Sequence, residues 1–204
     1  MAAVIDKKVI ESASAVFTLP GQSESGDRHV ILHLPHGALV AVIDGLGHGS
    51  EAAAAAQRAV VNIEQYAEGD SLIALVKRCH AALVGTRGAV MNLAAFDTRE
   101  DTLTWLGIGN VEGRILLRTT NPGYAQQGLL LRPGVVGQKL PRLQTSVTRV
   151  QRGDMVIFAT DGIDPDFVEG VHTGDSTQEI AERIVTRYCK KNDDALALVV
   201  RYLG

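Results

Sequence analysis

The chain has 204 residues, of which 46% are apolar and 21% charged, and its formal net charge at pH 7 is −3. That composition is ordinary for a globular chain long enough to bury a sizeable core. A near-neutral balance with only 4% aromatic residues excludes a basic stacking platform for nucleic acid, and no apolar run reaches the ~20 residues that a membrane-spanning helix needs.

In chain order, residues 1–11 read as a first strand, and Val16–Leu19 as a short second one before the loop PGQSESGD. HVILHL (29–34) and ALVAVID (38–44), separated by PHG, read as a hairpin. From Ser50 to Tyr66 the period changes. Apolar residues recur at three and four positions, at Ala52, Ala55, Ala56, Ala59, Val60 and Ile63, which predicts an amphipathic helix ended by Gly69. A second helix, capped by Asp70 or Ser71, presents Leu72, Leu75, Val76, Cys79 and Leu83 and stops at Gly85. Two helices joined by so short a loop are expected to lie side by side.

Strands then return. Residues 89–97, 102–109 and 113–119 read as a meander, which QGLLLRP, TSVTRVQ and 154–161 continue. A last helix opens on a capping box, Ser176 to Glu179, with Ile180, Ile184, Val185 and Tyr188 on its buried face. ALALVVRYL closes the chain as a strand. This order does not alternate as βαβ units do. It predicts an α+β fold of antiparallel sheets with helices on their outer faces, in a single domain over residues 1–204. Cys79 and Cys189 supply neither a disulfide framework nor a thiolate metal site and fit a reducing compartment. With no secretory pattern at the amino terminus, the expectation is a cytoplasmic, monomeric protein bound to neither nucleic acid nor membrane.

The stretch ALVAVIDGLGHGSEAAAAA (38–56) leads from a strand through three glycines into a helix. A dinucleotide fingerprint needs its third glycine where Ser50 stands, and an acid ~20 residues on where Glu64 falls inside a helix. A P-loop needs a lysine after its glycines, and none follows. A carboxylate at a strand end, followed by glycine, suits a hard divalent cation, which takes oxygen ligands including backbone carbonyls. Asp44 is such a carboxylate. Asp27 in SGD, Asp161 in ATDG, and Asp193 with Asp194 in NDDA also stand where strands begin or end. Any one of them reads as a turn or a cap. Brought together, they would repel unless a cation lay between them.

SGD, DGLGHGSEA, ATDG and DDAL, in that order over residues ~27–200, resemble the PPM family of metal-dependent serine/threonine phosphatases. The loop D-G-x-G-H-G resembles that of its SpoIIE-like bacterial branch, and the absence of a fused sensor resembles its stand-alone members. The resemblance implies a four-layer α-β-β-α sandwich and two Mn²⁺ or Mg²⁺ ions. Asp44 would bridge both ions and the Gly45 carbonyl would bind one. Asp161 and Asp193 would hold the other, with Asp194 as the alternative to Asp193, and Asp27 would sit behind the ligands or hold a metal-bound water. A water bridging the two cations and activated by both would hydrolyse phosphoserine or phosphothreonine on stressosome or anti-sigma-pathway proteins. His48 and Arg28 are the positional candidates for substrate binding. The loop has Leu46 where the eukaryotic branch has its general-acid histidine. The alternatives are a catalytically silent phosphoprotein-binding module of the same fold and, less well supported, a nucleotide-binding enzyme.

Overall fold

The computed structural model describes residues 8–119 and 124–204. Its first strand, β1 (Ile10–Phe17), is one continuous element where two pieces are expected, and residues 1–7 of the expected first strand lie outside the described residues. The hairpin forms as read: β2 (Asp27–Leu34) pairs in register with β3 (Gly37–Gly45). Both helices follow, α1 (Ser50–Tyr66) and α2 (Leu72–Leu83), and the α2 cap is Ser71, whose hydroxyl accepts from the Ala74 N–H. Then come β4 (Ala89–Asp97), β5 (Thr102–Ile108), β6 (Glu112–Arg118), β7 (Tyr124–Gly128), β8 (Leu131–Arg132), β9 (Ser146–Arg149) and β10 (Met155–Ala159). A 3-10 turn over Pro165–Gly170 precedes α3 (Thr177–Tyr188) and β11 (Ala195–Tyr202). The capping box at Ser176 and Glu179 is complete.

The expected meander is corrected. One sheet has the order β1-β11-β10-β6-β7, and the other β2-β3-β4-β5, with β8 and β9 both against β5. The chain therefore changes sheet after β5, where Gly109 sits at φ +88°, a conformation that favours glycine. Pairing is antiparallel throughout except for the two-residue parallel contact of β5 with β8.

Period-two alternation on doubly buried strands builds the layers. On β3, Leu39, Ala41 and Ile43 join α1 and α2 in one core, while Ala38, Val40 and Val42 face the other sheet. On β11, Leu196, Leu198 and Val200 meet them across the middle, and Ala195, Ala197 and Val199 pack under α3 with Ile180 and Ile184. Each large apolar side chain so buried stabilises by about 1.5–3 kcal/mol. The result is the α-β-β-α sandwich. The registers Asp27↔Asp44 and Ala159↔Ala197 set the carboxyl ends of β3 and β10 beside the amino ends of β2 and β11. Hydrogen bonds of Thr160 to Asp27 and of Gly26 to Asp194 bring the two pairs together at one end of the sandwich. No helix among the described residues is long and apolar enough to cross a membrane.

Candidate functional site

Asp44 is in phase with Ala38, Val40 and Val42, so the strand that fills the space between the sheets also delivers a carboxylate to its open end. Its cross-strand neighbour is Asp27. Gly45 is required by packing, because a Cβ there would stand 2.1 Å from the Ala52 carbonyl oxygen of α1. The Gly45 N–H donates to the Gly26 carbonyl (3.2 Å) and the Leu46 N–H to the Gly88 carbonyl (3.1 Å), which pins the loop on both sides.

The second sheet supplies the rest. Thr160 Oγ1 donates to Asp27 Oδ2 (2.8 Å) and accepts from the Leu196 N–H (2.8 Å), a polar tie between the sheets. Asp161 Oδ2 accepts from Asn110 Nδ2 at 2.7 Å. A Cβ on Gly162 would stand 2.0 Å from the Asp194 carbonyl oxygen, so glycine is what lets the end of β10 press against the start of β11. Asp44, Asp161 and Asp193 consequently line one cleft of about 470 Å³, with Asn110, Gly47 and an apolar wall of Leu46, Val90, Pro133 and Val135.

The structure separates Asp193 from Asp194, its alternative in the sequence reading. Asp194 is buried, and its oxygens accept from the Leu19 N–H (2.8 Å) and the Gly26 N–H (2.7 Å). Asp193 faces the cleft, and its Oδ1 accepts from the Asp194 N–H (2.8 Å). Arg28 does not line the cleft: its guanidinium is bound to the Ser25 and Asp27 carbonyls and to Glu24. His48 is exposed in the glycine loop and does not line the cleft either. Asn110 lies in GIGNVEG (107–113), a stretch that resembles a family loop but whose glycines read as a turn, and it is the group that sequence passes over. Its signal was an amide directly after a glycine in a strand-to-strand crossing.

Burial pushes the Asp44 carboxyl up to about 9, reinforced by Asp27, Asp161, Asp193 and Asp194. Asp27 is pushed up to about 7, first by burial and then by Asp194, Asp161 and Asp193, against the Thr160 hydrogen bond, which lowers it. Burial also drives the Cys79 thiol to about 12, which removes it as a nucleophile. Crowded carboxylates with an all-oxygen donor set fit a hard divalent cation. Among the described residues no three carboxylate, histidine or cysteine side chains close on a single point. Mg²⁺-like ions do not need that, since they keep several waters and bind through one or two carboxylates.

A two-sheet sandwich with helices outside and carboxylates gathered at one end of the strands defines the class. It matches a solved stressosome structure, described as "a modular system that has been adapted to control secondary messenger signaling", with a TM-score of 0.85 and 28% identity, over 95% of this chain and all of that one. It also matches the crystal structure of RsbX in complex with magnesium, with a TM-score of 0.83 and 23% identity, over 95% of each chain. The phosphoserine phosphatase RsbX of Bacillus subtilis is 27% identical over 175 residues, 85% of each sequence. The family model "Stage II sporulation protein E (SpoIIE)" matches residues 35–203, and the chain belongs to that family of PP2C-type phosphatases.

Proposed function

We propose that the chain, acting in the cytoplasm as one catalytic domain over residues 1–204, hydrolyses phosphoserine and phosphothreonine on stress-signalling proteins. The observation that carries this reading is the convergence of Asp44, Asp161 and Asp193, from three strand ends in two sheets, on one cleft. Asp44 and the Gly45 carbonyl on one side, and Asp161 and Asp193 on the other, are the groups that would hold two Mn²⁺ or Mg²⁺ ions. Such ions, when bound, lower the pKa of a water and neutralise phosphoryl charge. Asp161 is oriented by Asn110, and Asp27 backs Asp44 from the neighbouring strand. Asp194 serves the architecture, locking the β1–β2 connection onto β11 through two backbone amides. The relatives named for RsbX and the stressosome support phosphorylated proteins of that kind as the substrates.

The test is hydrolysis of an aryl phosphate, and then of a phosphorylated stressosome protein, with Mn²⁺, with chelator, and with Asp44→Asn. Metal-dependent turnover lost in the variant is the expected result. Metal binding without turnover on either substrate would favour the silent phosphoprotein-binding module instead.

A further inference from the structure

The cleft holds three carboxylates, and none of the described residues lining it is a lysine or arginine. A phosphoprotein nevertheless brings a dianion, which guanidinium groups engage with paired N–H donors. Arg28 is committed to backbone carbonyls. Arg87, in the connection between α2 and β4, lies against the Asp44 loop: a Cβ on Gly47 would stand 2.6 Å from its Nη1. Its backbone is held in place. The Gln138 amide donates to the Arg87 carbonyl (2.6 Å), Gly88 N–H donates to Thr86 Oγ1 (3.0 Å), and the Gly88 carbonyl accepts from Leu46. Gly47 lines the cleft, so the guanidinium stands at its rim.

The partner of Arg87 is Glu51, in the first turn of α1, with Nε 2.7 Å and Nη2 2.6 Å from Oε2. The two side chains are 45% and 70% exposed, and an ion pair so open to solvent contributes little and is readily exchanged. Gly47, at φ +87°, supplies both the left-handed turn and the bare surface over which the side chain can move.

We infer that Arg87 is a substrate-binding residue: it leaves Glu51 to grip the phosphoryl oxygens of the bound phosphoprotein at the rim of the cleft. This rests on the phosphatase reading above and assigns the phosphate grip that Arg28 does not provide. Both guanidinium nitrogens meet the single Glu51 oxygen Oε2, whereas a phosphoryl group offers each its own oxygen and carries a larger charge.

The experiment titrates inorganic phosphate into the Mn²⁺-loaded protein by calorimetry, with Mn²⁺ affinity measured separately, for the wild type, Arg87→Ala, Arg87→Lys and Glu51→Gln. Turnover of a phosphoserine peptide is followed in parallel. Arg87→Ala is expected to weaken phosphate binding and raise KM about tenfold or more while leaving Mn²⁺ affinity within about twofold. Arg87→Lys should fall between the two, and Glu51→Gln should tighten phosphate binding. Unchanged phosphate affinity in Arg87→Ala, or a wild type that binds no phosphate, would overturn the assignment. Should Arg87→Ala fail to fold, the opposite shifts of Arg87→Lys and Glu51→Gln decide it. A wild type that binds phosphate but never turns over substrate would refute the catalytic reading and leave the grip standing.

Discussion

Asp27 and Asp44 face each other across the β2–β3 ladder, and no cationic side chain is among the described residues lining the cleft that Asp44 enters. Both carboxyls are pushed up, to about 7 and about 9, chiefly by burial. The folded metal-free protein thus holds protons that the unfolded chain gives up above pH ~4. The contribution of this pair to stability is greatest at low pH and is lost as pH rises through those two values. Thermal melts in chelator should show Tm dropping between pH 5 and 9, and Mn²⁺ should restore it by an increment that grows with pH. Asp44→Asn should melt higher than wild type in chelator. Even one pKa unit of relief is worth about 1.4 kcal/mol, or roughly 3–6 °C at this chain length. A flat Tm profile in chelator would show that the two carboxylates are not crowded.

Asp193 and Asp194 should part company on mutation. Asp194→Asn sets an amide NH₂ against the Leu19 or Gly26 N–H, and an unsatisfied buried group costs roughly 1–3 kcal/mol. We expect Tm to fall by roughly 3–10 °C, with Mn²⁺ affinity retained in the protein that folds. Asp193→Asn keeps an oxygen for the Asp194 N–H, so stability should change little while Mn²⁺ binding by calorimetry drops tenfold or more. The reverse pattern would exchange their roles.

That pair also shows how far sequence reaches. The alanine stripe of α1, the α2 face and the Ser176–Glu179 box were legible because helical period and capping are local. The carboxylates at strand ends were legible because glycine follows Asp44 and Asp161. Which of Asp193 and Asp194 faces the cleft was not, since strand parity turns on where β11 starts. The departure of β6 to the other sheet was hidden for a related reason. Strands buried on both faces, such as β4 and β10, carry no alternation that names a partner. β1 escaped as one element because IESASAVF mixes serines into its inner face.

Asn110 tests whether the orientation of Asp161 matters. Its amide donates to Asp161 Oδ2 at 2.7 Å, and partners that aim a metal-binding carboxylate typically account for 10–100-fold in affinity or activity. Asn110→Ala should lower Mn²⁺ affinity and kcat within that range while Tm in chelator moves by less than about 1 kcal/mol equivalent, as befits an exposed hydrogen bond. Asn110→Gln, with the same amide on a longer stem, should recover part of the loss. Unchanged Mn²⁺ affinity in both variants would make the contact incidental.

Gly162→Ala probes the joint between Asp161 and Asp193. The added Cβ would stand 2.0 Å from the Asp194 carbonyl oxygen and 3.0 Å from the Ala195 Cβ. Main-chain atoms cannot swing aside as a flexible side chain does, so β10 and β11 must separate where the two cleft carboxylates are set. Overpacking of this kind costs about 1–3 kcal/mol, and we expect a Tm loss of roughly 3–10 °C together with weaker Mn²⁺ binding. Gly69→Ala is the matched control, since a methyl there would meet no atom within 4 Å and its φ is not left-handed. It should leave Mn²⁺ affinity alone and hold or raise Tm, because alanine narrows the unfolded ensemble. Equal melting and metal affinity in the two variants would mean that the β10–β11 approach is looser than the 2.0 Å contact requires, and that Asp161 reaches the cleft without it.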